Sequence, residues 1–152
     1  MSDGYKRPES VLVVIHTPDL QILLLERARH PGYWQSVTGS REDHEDFVET
    51  AVREVCEETG LNITTDQLRV WPGENVYTIM PEWRHRYAPE VTHNRERVFS
   101  LCLPAPCEIT TAPAEHRAWR WTPWQAAADA CFSASNREAI LALANLPPAT
   151  TS

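Results

Sequence analysis

The run Ser10–Ile15, SVLVVI, limits the fold more than any other stretch of the chain. Val11, Val13, Val14 and Ile15 are β-branched, and the run shows no polar face, which marks a strand buried on both sides. A strand with two apolar faces needs a covering layer over each. The rest of the chain supplies the parts. Gln21–Glu26 (QILLLE) reads as a second strand after a turn at Pro18 and Asp19, and Trp34–Val37 as a short strand leading to Gly39. Leu68–Trp71, Asn75–Trp83, Arg97–Leu103 and Trp119–Trp121 read as further strands, with a polar loop over Arg84–Glu96. Trp34, Trp119 and Trp121 are assigned to packing.

Three segments carry helical periodicity. In Glu45–Thr59, Val48, Ala51, Val52 and Val55 share one face, Asp43 is the expected N-cap, and Gly60 is the stop. Pro123–Ala130 is expected as a helix capped by Thr122, and Asn136–Ala144 as the last one. The predicted class is α/β, a mixed β-sheet between helices. No repeat or low-complexity linker interrupts it, so residues 1–146 form one domain and residues 147–152 a disordered tail.

Charge and cysteine content narrow the function classes. Net charge is −7, which argues against a nucleic acid polymer as partner. An acidic protein acting on an anionic small molecule needs local cations, from a bound metal and a few placed Arg or Lys side chains. No apolar run is long enough to span a bilayer, and Met1–Pro8 lacks the pattern of a signal peptide. Cys56, Cys102, Cys107 and Cys131 show no CxxC spacing and read as reduced thiols of a cytoplasmic protein, a monomer or homodimer without membrane association.

The second face of the Glu45–Thr59 helix carries the chemistry. Glu54 and Glu58 are one turn apart, and Glu57 adjoins both. Like charges at this spacing oppose each other by a few tenths of a kcal/mol per pair. A hard divalent cation such as Mg²⁺ or Mn²⁺ between the carboxylates would reverse that repulsion. A solvated acidic face with Arg53 paired to Glu57 is the alternative that spacing leaves open.

The longer pattern reads Gly39, five residues, Glu45, seven residues, then Arg53-Glu54-Val55-Cys56-Glu57-Glu58-Thr59-Gly60-Leu61. It resembles the box of the Nudix hydrolase family at every specified position. The resemblance implies an α/β/α sandwich and Mg²⁺-dependent hydrolysis of a diphosphate linkage, with Mn²⁺ a possible substitute. It implies that Glu54 and Glu58 are metal ligands and that Glu57 is a further ligand or base. Arg53 would orient the carboxylates, Glu45 would support them, and Gly39 and Gly60 would shape the loops.

Outside the box, Tyr5–Pro8, Trp34–Ser40, Arg84-His85-Arg86-Tyr87-Ala88-Pro89, Glu115-His116 and Ser135-Asn136-Arg137 are similar to the dihydroneopterin triphosphate pyrophosphohydrolases of this family. Carried over, the resemblance makes Lys6, Arg27, Thr38, Tyr77, Thr78, Ile79, Met80 and Ser133 substrate contacts. It makes Glu115 a metal ligand or base, and leaves ring stacking to Tyr77 or Trp83. The implied reaction yields dihydroneopterin monophosphate and pyrophosphate. A nucleoside or deoxynucleoside triphosphate pyrophosphohydrolase is the neighbouring reading. A catalytically silent binding module would have lost box carboxylates, and an RNA-cap hydrolase would carry a basic strip.

Overall fold

The computed structural model describes residues 4–146; the tail expected from Pro147 onward lies outside them. The strands, in chain order, are β1 Glu9–His16, β2 Gln21–Arg27, β3 Trp34–Gln35, β4 Val37–Ser40, β5 Leu68–Val70, β6 Asn75–Thr78, β7 His93–Cys102 and β8 His116–Pro123. The helices are α1 Phe47–Thr59, α2 Trp124–Ala130 and α3 Ala134–Leu143.

β1 lies at the centre of the sheet because both its faces are apolar. It pairs in parallel with β7 along its whole length, from Glu9 opposite Arg95 to His16 opposite Cys102. Its other edge is shared: β4 pairs antiparallel from Ser10 to Val13, and β2 joins at His16. β2 continues antiparallel into β8, while β5 and β6 both pair with β7.

The period of two along β1 separates the cores. Val11, Val13 and Ile15 pack with Ala51 and Val55 of α1. Leu12 and Val14 pack with Ala127 and Ala128 of α2 and Ala139, Ile140 and Leu143 of α3. Each buried Val, Leu or Ile among them contributes about 1.5–3 kcal/mol by leaving water. The mixed sheet between helices is therefore as the sequence predicts. Trp34, Trp119 and Trp121 pack against these cores. Among the described residues no helix is long and apolar enough to cross a membrane.

Several boundaries differ from the predicted ones. Asp46, not Asp43, caps α1: its side chain accepts from Glu49 N at 2.8 Å while Glu49 Oε1 accepts from Asp46 N at 3.0 Å. Asp43 instead pairs with Arg7, and Glu45 precedes the helix. Gly60 ends α1 in the left-handed region, at φ 78°. β6 stops at Thr78, not Trp83, because Pro81 fixes its own φ and has no N–H for a ladder; Pro81–Arg86 is a 3₁₀ turn. β7 begins at His93, inside the predicted polar loop. Pro123 caps α2 with no side-chain bond, so Thr122 is not its cap.

Ser133 caps α3 by accepting from Asn136 N. Asn136 then reaches across the molecule: its Oδ1 accepts from Ser36 N at 2.8 Å and its Nδ2 donates to Ser36 Oγ at 3.0 Å. Both residues are buried, so this pair fixes the break between β3 and β4. Asn136→Ala should cost about 2–4 kcal/mol, since it strands a buried N–H and a hydroxyl. Thermal unfolding measures it, and a loss below about 1 kcal/mol would show the link to be incidental.

Candidate active site

Helical spacing projects Glu54 and Glu58 from one side of α1 while Ala51 and Val55 hold the helix on the sheet. Glu54 settles over β4 at Gly39. A Cβ placed on Gly39 would lie 2.1 Å from Glu54 Cδ and 2.3 Å from its Oε1. A side chain at this position would displace the Glu54 carboxylate. Glu58 lies deeper, with 2% of its surface exposed. Both its carboxylate oxygens are buried and have no hydrogen-bond partner among the described residues. Burial pushes its carboxyl well above the ordinary range, and the charges of Glu54 and Glu115 push further. Burial also raises Glu54, against the pull of Arg53.

Arg53 organises the surrounding carboxylates. Its Nε and Nη2 bind Glu45 at 2.6 and 2.9 Å, Nη2 also donates to Ser40 O at 3.0 Å, and Nη1 donates to Glu54 Oε1 at 2.8 Å. The planar guanidinium fork makes these angles possible where an ammonium could not. Nη1 also reaches Glu57 Oε2 at 3.2 Å. Glu45 has its remaining capacity filled by Thr50 Oγ1 and Glu42 N.

Arg53 holds the Glu45 carboxyl down at about 2, from an ordinary 4.5. A lowered folded pKa stabilises the protein above the unfolded value, and that stability is lost as pH falls toward 2. Glu45→Gln should therefore be less stable by about 2 kcal/mol at pH 7, with the gap closing below about pH 4. Denaturant titrations at neutral and acid pH measure this. A gap independent of pH would exclude the ion pair as its source.

The carboxylates face an open cavity of about 1650 Å³. That exceeds the few hundred to a thousand Å³ of an ordinary small-ligand cleft and leaves room for a ring with a phosphate chain. Of the residues expected at the site, Lys6, Arg27, Thr38, Gly39, Arg53, Glu54, Glu58, Tyr77, Thr78, Ile79, Met80, Glu115 and Ser133 line it. Glu45, Glu57 and Gly60 do not. Glu57 has 52% of its side chain exposed and leans on Arg53. Ser133 is also the cap of α3, so its hydroxyl has a structural duty. Thr38 donates to Val11 O at 2.9 Å. Tyr77 accepts from Asn94 at 3.0 Å, and burial pushes its phenol up to about 12.

Glu115 reaches the cavity from the loop before β8, where its carbonyl accepts from Ala28 N at 2.9 Å. One residue beyond, the β2–β8 register shifts between Glu26 and Arg27, setting His116 opposite Arg27. Sequence reasoning left His116 without a role. The structure buries it with Nε2 3.7 Å from Glu58 Oε1 and 3.3 Å from Gln35 Nε2. Burial, with Arg27 adding, pushes its imidazole down to about 4, so at neutral pH it is an uncharged neighbour of Glu58. Gln35, equally unflagged, accepts from Arg27 Nη1 at 3.4 Å through its other amide atom. A bulge and an alternating strand position place these two, and neither carries a spacing signal.

Trp83 and Phe132 also line the cavity. Tyr33 stacks on Phe132 with centroids 4.7 Å apart, Trp83 meets Phe132 edge-on at 5.6 Å, and Arg27 lies 5.2 Å over the Trp83 ring.

The residues present fit a divalent cation. Buried, unpartnered carboxylate oxygens on Glu58 are costly unless something positive meets them. Glu54 is held beside them by Arg53 and lies against Gly39, and Glu115 lines the same cavity with its charge acting on Glu58. All the donors are hard oxygen atoms. Glu42, His44 and Glu45 also lie close together, but Glu45 is already occupied by Arg53.

Comparison with known proteins agrees with this geometry. The NUDIX domain family matches residues 6–143. The dihydroneopterin triphosphate diphosphatase of Escherichia coli is 43% identical over 139 residues, covering 90% of this chain and 91% of that protein. Its Haemophilus influenzae counterpart is 38% identical, covering 90% of this chain and 87% of that one. The solved structure of the E. coli dihydroneopterin triphosphate pyrophosphohydrolase superposes with a TM-score of 0.86 at 41% identity, covering 95% of this chain and all of the other. A matched domain over nearly the whole chain, on the fold and carboxylate arrangement just described, makes this protein a member of the Nudix hydrolase family.

Proposed function

We propose that the chain hydrolyses dihydroneopterin triphosphate to dihydroneopterin monophosphate and pyrophosphate, with Mg²⁺ held by Glu54 and Glu58. The observation that carries the hydrolytic reading is the pair of buried, unpartnered Glu58 oxygens facing the cavity. The pterin substrate rests on relatives 38–43% identical across nine-tenths of the chain that bear that activity in their names.

When bound, the divalent ion supplies charge neutralisation on the phosphate oxygens and makes water acidic enough to attack. The chain's own residues do the rest. Arg53 fixes the angle of Glu54 through bonds to Glu45 and Ser40, so it is a positioning residue. Lys6 and Arg27 bind phosphate oxygens. Glu115 accepts the proton of the attacking water, since it lines the cavity while Glu57 leans on Arg53 outside it. The water oxygen bonds to phosphorus as the bridging P–O bond breaks, and pyrophosphate departs. Trp83 and Phe132 offer apolar surface for the heterocycle. The enzyme acts in the cytoplasm as a monomer or homodimer, without nucleic acid polymer or membrane.

A panel of dihydroneopterin triphosphate and the common nucleoside and deoxynucleoside triphosphates, with pyrophosphate detection, tests this reading. Turnover should be fastest on the pterin, need Mg²⁺ or Mn²⁺, and vanish on chelation. Equal or better turnover of a deoxynucleotide would reassign the enzyme to nucleotide pools.

A further inference from the structure

The stretch Arg84–Pro89 takes no part in the acidic wall, yet it brings a further cation to the cavity. Its residues divide the work. Arg84 Nη2 donates to the carbonyls of Pro89 at 3.2 Å and Val91 at 3.4 Å, which closes the segment on itself. Tyr87 N returns to Arg84 O at 3.0 Å and ends the 3₁₀ turn. The carbonyl of Arg86 accepts from Lys6 N at 2.9 Å, and Lys6 Nζ lies 5.9 Å over the Tyr87 ring. Backbone bonding therefore sets Lys6 and Arg86 side by side. Arg27, held over Trp83 of the same turn, lines the cavity with them.

None of these three cations forms an ion pair among the described residues. By contrast, Arg7, Arg41, Arg53, Arg95 and Arg117 each meet a carboxylate. The three also oppose one another. Burial pushes the Lys6 ammonium down to about 8 and lowers Arg27, and the charge of Arg86 acts in the same direction on both. A protein of net charge −7 has carboxylates to spare. Three cations that line one cavity with no carboxylate partner among the described residues suit a multiply charged anion.

We propose that Arg86 is a substrate-binding residue that joins Lys6 and Arg27 in a three-cation subsite for a polyphosphate chain, selecting it over a single phosphate. The proposal rests on the hydrolase reading of the cavity. The Arg86 side chain is exposed, and its structural link runs through its backbone carbonyl, so side-chain substitution leaves the fold intact.

Calorimetric titration of the full chain in Mg²⁺, with inorganic pyrophosphate and orthophosphate as probes, tests it. Arg86→Ala should weaken pyrophosphate binding about tenfold to a hundredfold while orthophosphate binding changes little. Arg86→Lys should recover part of the loss, and KM for the substrate should rise more than kcat falls. Arg95→Ala, which removes the same charge outside the cavity, should bind pyrophosphate like the wild type. Pyrophosphate affinity in Arg86→Ala within about twofold of wild type would overturn the proposal, as would equal losses in Arg86→Ala and Arg95→Ala. Failure to hydrolyse the pterin while pyrophosphate binding still depends on Arg86 would sink the substrate assignment and leave the subsite standing.

Discussion

Glu58→Gln should lose about a thousandfold or more in kcat while folding at least as stably as the wild type. The two halves of this expectation have one cause. Glu58 is the most buried carboxylate of the site, and its oxygens meet no protein donor. An amide of the same shape removes the charge that burial and the neighbouring Glu54 and Glu115 disfavour. The folded protein is thereby relieved of a like-charge contact. The same change removes a hard anionic ligand from the site, which an amide oxygen replaces poorly. A structural carboxylate would behave the other way, with lower stability and preserved activity. Thermal unfolding and steady-state kinetics on one preparation separate the two outcomes. Retained turnover would end the assignment of Glu58 as a ligand.

Gly39→Ala should cost about a hundredfold in kcat through a methyl group that touches no substrate. The added Cβ would sit 2.1 Å from Glu54 Cδ, so the carboxylate must swing away and lose its bond to Arg53 Nη1. Displacement of a reacting group by about 1 Å is worth a factor of this size. Because Arg53 keeps Glu45 and Ser40, the fold should survive. Glu54→Asp in the Gly39→Ala background offers the complementary check, since a shorter side chain relieves the clash. Full activity in Gly39→Ala would mean that Glu54 has another working position.

Much of this site was legible before the fold was known, and the reasons are physical. Glu54 and Glu58 are tied by helical spacing, while Gly39 was marked by the resemblance to the Nudix box and its close approach to Glu54 appears only in the fold. The two-sided core was readable from β1 because its side chains alternate between helices. The cap of α1 was misread as Asp43; the reciprocal pair of Asp46 with Glu49, three residues on, decides it instead.

What stayed hidden was hidden by polarity. His93–Glu96 reads as loop, yet Asn94 and Glu96 are buried in β7, where Asn94 donates to Ser10 Oγ at 2.7 Å and Asn75 donates to Glu96 at 3.2 Å. A strand that buries hydrogen-bonded polar groups shows no hydrophobic alternation. His116 and Gln35 meet only through a register shift and a strand pairing, which no local pattern encodes.

The parallel pairing of β1 with β7 has a consequence for biosynthesis. Lys6 leads into β1 at the start of the chain, α1 follows, and Glu115 arrives only with the loop before β8. A nascent chain therefore presents Glu54 and Glu58 well before Glu115 leaves the ribosome. Its central strand also waits for β7 before that edge is covered. The cavity that Glu54, Glu58 and Glu115 line is therefore closed around its carboxylates only near the end of synthesis.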